Sequence, residues 1–98
     1  MPIKTDLKIV NGKLTVIDNV SKYVKKYGPF AILVGMRHYL FIEIEMCFQW
    51  EDETDARLRK EIQYNRDAVR RRHNQLAELL TGVPEDLVIE ALQALEKC

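Results

Sequence analysis

Residues 66–75, RDAVRRRHNQ, carry the densest positive charge in this chain. Cations at helical spacing can hold phosphate or meet a partner's acids. Projected on a helix, Arg59, Arg66, Arg70 and His73 line one shoulder, the candidate contact for an anion or a partner protein. Arg71 points away from that shoulder, and Arg72 falls near the far edge of the apolar stripe. Asn74 and Gln75 have the groups to read base edges. The acids around this run weigh on the other side. Asp67 stands three and four residues before Arg70 and Arg71, Asp55 stands four before Arg59, and Glu53, Arg57 and Glu61 form an i, i+4 ladder. Of the arginines in this helix, only Arg66 and Arg72 lack an acid three or four residues earlier. Alternation of this kind is the pattern of a solvated helix face. No zinc-finger or RNP pattern accompanies it, and TGVP at 81–84 matches a helix-turn-helix turn only in length.

Other chemistry is thinner. Glu43 and Glu45 would lie about 7 Å apart on one face of a strand, and paired carboxylates can do acid–base work. Alternating glutamates on a half-exposed sheet are more simply solvated. His38 and His73 are the only histidines, and Cys47 and Cys98 the only cysteines. They form no HxxxH, HExxH or CxxC spacing. Ser21 is the single serine, and the four glycines are isolated, so neither a GxSxG nucleophile nor a phosphate-cradling loop is present. The sequence therefore predicts a non-enzymatic chain with no catalytic residue, no metal and no cofactor.

The elements that must carry these side chains follow from periodicity. Asn11-Gly12 between the β-prone runs LKIV and KLTVI predicts a hairpin over 7–17. Asp18 as N-cap, with Val20, Tyr23, Val24 and Tyr27 on one face, predicts a short helix over 18–27, ended by Gly28 and Pro29. FIEIEMCFQW alternates with period two, which predicts strands between Phe30 and Trp50 folded as a second hairpin about Gly35-Met36. A helix through 30–40 is the alternative there. In the strand reading Tyr39 and Phe41 share the face of Glu43 and Glu45, open to a partner if helices cover only one side of the sheet and core if they cover both. A long helix is predicted over 51–80, acidic in its first turn. Gly82 closes it, and Pro84 opens a short final helix. The expected fold is α+β: two antiparallel hairpins in a small sheet with a short helix between them, then a long and a short helix packed on the sheet or on a second subunit. Residues 1–98 form one domain, 6–50 mainly β and 51–97 a helical hairpin.

Fifteen basic residues balance fifteen acidic ones, so no whole-chain field draws a polyanion. The N-terminus lacks a leader-like apolar core, and Arg37, His38, Glu43 and Glu45 interrupt the most apolar window, at 30–48. With two cysteines and no disulfide framework, a cytoplasmic protein without membrane contact is expected. Leu58, Ile62, Asn65, Val69, Arg72 and Leu76 make a 4-3-4-3 seam on the long helix. The final helix, about 21 Å long, is too short to cover a rod of about 45 Å. The excess predicts self-association through that seam. The function expected is a homodimeric protein–protein interaction or assembly module with an unidentified protein partner. A nucleic-acid-binding regulator is the second choice.

Overall fold

Asn11 and Gly12 both take positive φ, 52° and 75°, as a two-residue type I′ turn requires. They join β1 (Thr5–Val10) to β2 (Lys13–Asp18) in an antiparallel pair whose register runs from Thr5↔Asp18 to Val10↔Lys13. The computed structural model describes all 98 residues. After this two-stranded sheet come four helices: α1 (Val20–Tyr27), α2 (Pro29–Asp52), α3 (Ala56–Leu80) and α4 (Glu85–Glu96). The fold class is α+β, as predicted, with most of the chain helical. No helix is long and apolar enough to cross a membrane.

The predicted second hairpin does not form. Residues 29–52 are one helix of 24 residues, the alternative that the sequence allowed for 30–40 carried on to Asp52. Gly28 (φ 64°) closes α1 by donating its N–H to the Val24 carbonyl at 2.8 Å. Pro29 then supplies the first turn of the next helix, where its missing N–H costs nothing. The alternation that suggested strands has another meaning on a helix. Steps of two residues turn about 200°, so a period-two pattern deals its apolar side chains onto two opposite faces. Ile42, Met46 and Trp50 fall on one side of α2, and Ile44 and Phe48 on the other.

The first of these faces packs on α3. Ile32, Met36, Tyr39, Glu43, Met46 and Trp50 follow a 4-3-4-3-4 spacing, and three meetings fix the antiparallel register. Gly35 lies against Leu76, Glu43 against Arg66 and Arg70, and Trp50 against Arg59. Gly35 is not a turn residue but a point of close approach. A Cβ built there would stand 3.0 Å from both Leu76 Cδ1 and Val20 Cγ2. Val20 and Leu76 are fully buried, so neither can step aside. Alanine is the better helix former by about 1 kcal/mol, yet overpacking of this kind costs about 1–3 kcal/mol. Gly35→Ala should therefore destabilise the chain by about 1 kcal/mol in urea unfolding, and Gly35→Val by more.

Two further corrections concern the helix ends. The acidic stretch 51–55 is not the first turn of the long helix. Glu51 and Asp52 finish α2, and Asp55 caps α3 by accepting from the Arg57 N–H at 2.9 Å. The predicted hairpin of the last two helices is replaced by a hairpin of α2 and α3. α4 folds back on α2 rather than on the end of α3, and Leu79 is left exposed.

The core gathers Val16, Val20, Ile32, Tyr39, Ala68, Val69 and Leu76 from the sheet, α1, α2 and α3. It is thin, since only 12 of 98 residues are buried. The chain exposes 6970 Å², against about 5,800 Å² for a monomer of this mass. Its radius of gyration is 15.0 Å, against about 12.5 Å for a compact domain of this length.

Candidate functional site: an arginine clamp and an uncovered helix face

The basic helix serves mostly to bind its own chain. Asp18, at the end of β2, is buried to 1 % side-chain exposure beneath Arg72. Arg72 Nε donates to Asp18 Oδ2 at 2.8 Å and its terminal nitrogen to Oδ1 at 3.1 Å, a two-pronged pair. The Val20 N–H donates to Oδ1 at 3.0 Å, and the Tyr39 hydroxyl donates to Oδ2. One carboxylate thus ties β2, α1, α2 and α3 together. Burial pushes the Asp18 carboxyl upward. Its hydrogen bonds from Arg72, Tyr39 and Val20, with the Arg72 charge, outweigh burial and hold it below the ordinary 3.8. Burial pushes the Tyr39 phenol far above its ordinary range, and the hydrogen bond it donates to the charged Asp18 carboxylate pushes it the same way. The hydrogen bond to Asp18 raises Arg72 against the opposing effect of burial. None of the three is poised to exchange a proton near neutral pH.

Arg66 and Arg70 converge on Glu43, at 3.8 and 3.3 Å, and that carboxylate is itself largely buried. The two arginines that lacked an acid on their own helix, Arg66 and Arg72, thus find theirs on other elements. Arg59 lies over the Trp50 ring, 3.7 Å from its centroid. Arg71 donates to the Leu14 carbonyl at 2.8 Å. His73 meets only Asn74, at 3.4 Å. Of the shoulder residues, Arg59, Arg66 and Arg70 are therefore already engaged within the molecule. The seam residues divide as well. Val69 and Leu76 belong to the core and Arg72 to the Asp18 clamp, Ile62 and Asn65 are half-buried, and Leu58 is exposed.

Glu43 and Glu45 do not share a face: Glu43 points toward α3, and Glu45 is exposed. Tyr39 and Phe41 part in the same way, one fully buried and the other open. His38 sits half-buried beside the Tyr39 ring, with Nε2 buried and unpartnered. Burial, opposed by the Asp18 charge, lowers its pKa below the ordinary 6.5. The sign of the consequence is fixed. The folded chain binds fewer protons than the unfolded one once pH falls below about 6.5, so stability is lost on acidification through that point. His38→Gln should flatten the fall in unfolding free energy between pH 7.5 and 5.5, measured by urea titration at each pH.

Of the two aromatics that the strand reading offers to a partner only Phe41 is open, and it joins Ile44 and Phe48 on the outer side of α2, a stripe that the strand periodicity hides. Phe41, Ile44 and Phe48 are 65 %, 51 % and 62 % exposed, with Leu40 exposed beside them. Together they present on the order of 400 Å² of apolar side chain in one stripe. α4 packs over the first half of α2 near Phe30, and at the end of the chain Cys98 lines a surface pocket together with Val34, His38 and Phe41 of α2. With 12 residues α4 is about 18 Å long, while α2 with 24 is about 36 Å. Beyond Phe41 the outer face of α2 has no cover. No family model matches the chain, and neither a curated protein nor a solved structure matches it.

Proposed function

We propose that this chain is a small non-enzymatic assembly module that acts as a homodimer, and that its surface recruits other proteins. The observation that carries the reading is the uncovered apolar stripe on α2. It comes with a surface about 1,200 Å² larger than a monomer of this mass exposes. A stable interface removes about 800 Å² from each partner, so association of one face would absorb most of the surplus. The buried ionisable groups favour a structural role over catalysis. Asp18 is held ionised, Tyr39 protonated and Arg72 charged, and all three are spent on one another.

The alternative, a nucleic-acid-binding regulator using Arg59, Arg66, Arg70 and His73, asks arginines already paired with Glu43 or stacked on Trp50 to exchange those partners for phosphate. Two measurements test the pair of readings. Light scattering with reductant at tens of micromolar should return twice the 11.5 kDa chain mass. Affinity for DNA or RNA, plotted against salt on logarithmic axes, should have a slope near zero. A single-chain mass removes the assembly reading. A slope equivalent to several phosphate contacts supports the regulator.

A further inference from the structure

We infer that the second copy docks along α2 itself, antiparallel, about a two-fold axis at Ile44. The inference rests on the homodimer reading and assigns it a face, a direction and a register.

The stripe runs Arg37, Phe41, Ile44, Phe48, Glu51, a 4-3-4-3 spacing that is nearly symmetric about its middle residue. Turned end for end, it lays Ile44 on its own copy, Phe41 on Phe48 of the second copy, and Arg37 on Glu51 of the second copy. The mismatch between paired positions is one residue, about 1.5 Å along the axis. A two-fold interface demands this self-complementarity, since each contact must occur twice. Charge agrees with the direction. Arg37, Glu51 and Asp52 make no salt bridge within the chain. Antiparallel pairing brings the cation of each copy to the acids of the other, whereas parallel pairing sets Arg37 against Arg37 and acid against acid.

The stripe supplies on the order of 400 Å² of apolar side chain, about half of what a standard dimer buries on each side, and the flanks that a second helix would cover at an axial separation of about 8–10 Å must supply the rest. The period-two pattern of 41–50 acquires a reason on this view. A helix sandwiched between α3 and its own copy needs two apolar faces, and alternation provides both.

Disulfide trapping tests the register. In a chain carrying Cys47→Ser and Cys98→Ser, single cysteines are placed at 41, 44 and 48, with Ile89→Cys on exposed α4 as the control. On the axis, the two 44 Cα atoms come within about 5–6 Å, a span that a disulfide bridges. Copies of 41 or of 48 lie about 9–12 Å apart along the axis. Mild oxidation should crosslink most of the Ile44→Cys chain and little of the other three. Arg37→Glu and Glu51→Arg should each weaken the dimer about tenfold, and the double reversal should restore it. Efficient trapping at 41 and 48 as well means parallel helices and overturns the inference. A dimer by mass that traps at 89 but not at 44 also overturns it while leaving self-association standing. A chain that remains monomeric removes both.

Discussion

Replacing Asp18 with alanine should cost about 3–5 kcal/mol, because it leaves Arg72 as an uncompensated cation inside the fold. For a domain of this length that is about 12–30 °C in melting temperature. The size of the effect comes from connectivity. The carboxylate accepts from Arg72, Tyr39 and the Val20 N–H, so its loss frees three donors on three helices at once. Asp18→Asn keeps the shape and loses the charge, and should sit between wild type and alanine. Adding Arg72→Met to Asp18→Ala should recover part of the loss, since the stranded charge goes with it. A cycle of urea unfolding curves measures that coupling. The pH dependence has a definite sign. Asp18 titrates lower in the folded chain than in the unfolded one. Its contribution is complete above the ordinary value of 3.8 and fades as pH falls through the lower folded value. The His38 loss begins earlier, below about 6.5, so acid should destabilise the protein in two separable stages.

Phe48→Glu should weaken self-association at least a hundredfold, about 3 kcal/mol. In the proposed dimer the substitution enters twice, and each copy would bury a carboxylate in the interface. The substitution leaves the single chain intact, because Phe48 is 62 % exposed and touches no part of the core. Sedimentation velocity should show the variant at single-chain mass and the wild type at double. Ile89→Glu, also at an exposed position but on α4, should sediment as wild type does.

Local signals in the sequence were reliable where a single residue type dictates geometry. Asn11-Gly12 specified the hairpin, and Gly28-Pro29 the break between helices. Gly82 and Pro84 marked the end of one helix and the start of the next. Over residues 30–50 the alternation reads as a strand only if one side alone is buried. On a helix packed from two sides the same pattern is equally natural, and nothing local distinguishes the two. Absence of a breaker was the available clue: from Ala31 to Asp52 there is no proline, and Gly35 is the only glycine. The uncovered helix face is not on the helix that the seam spacing singles out. α2, once helical, covers the stripe on α3, and the shortfall moves to the outer side of α2. The arginine partners could not be read ahead of the fold. Asp18 and Arg72 lie 54 residues apart, and Glu43 meets Arg66 and Arg70 only once 29–52 is a helix. The one advance sign was negative: Arg66 and Arg72 were the helix arginines without an acid nearby.

If folding and association are one event, the melting temperature must depend on how much protein is in the tube. Unfolding the full chain at 1 µM and again at 100 µM, with reductant present, is the most direct test. A dimer that dissociates as it unfolds gains about 2.7 kcal/mol over that hundredfold range, which should raise the midpoint by about 5–10 °C. Coincident curves at the two concentrations would mean that the exposed stripe on α2 has no second copy to cover it.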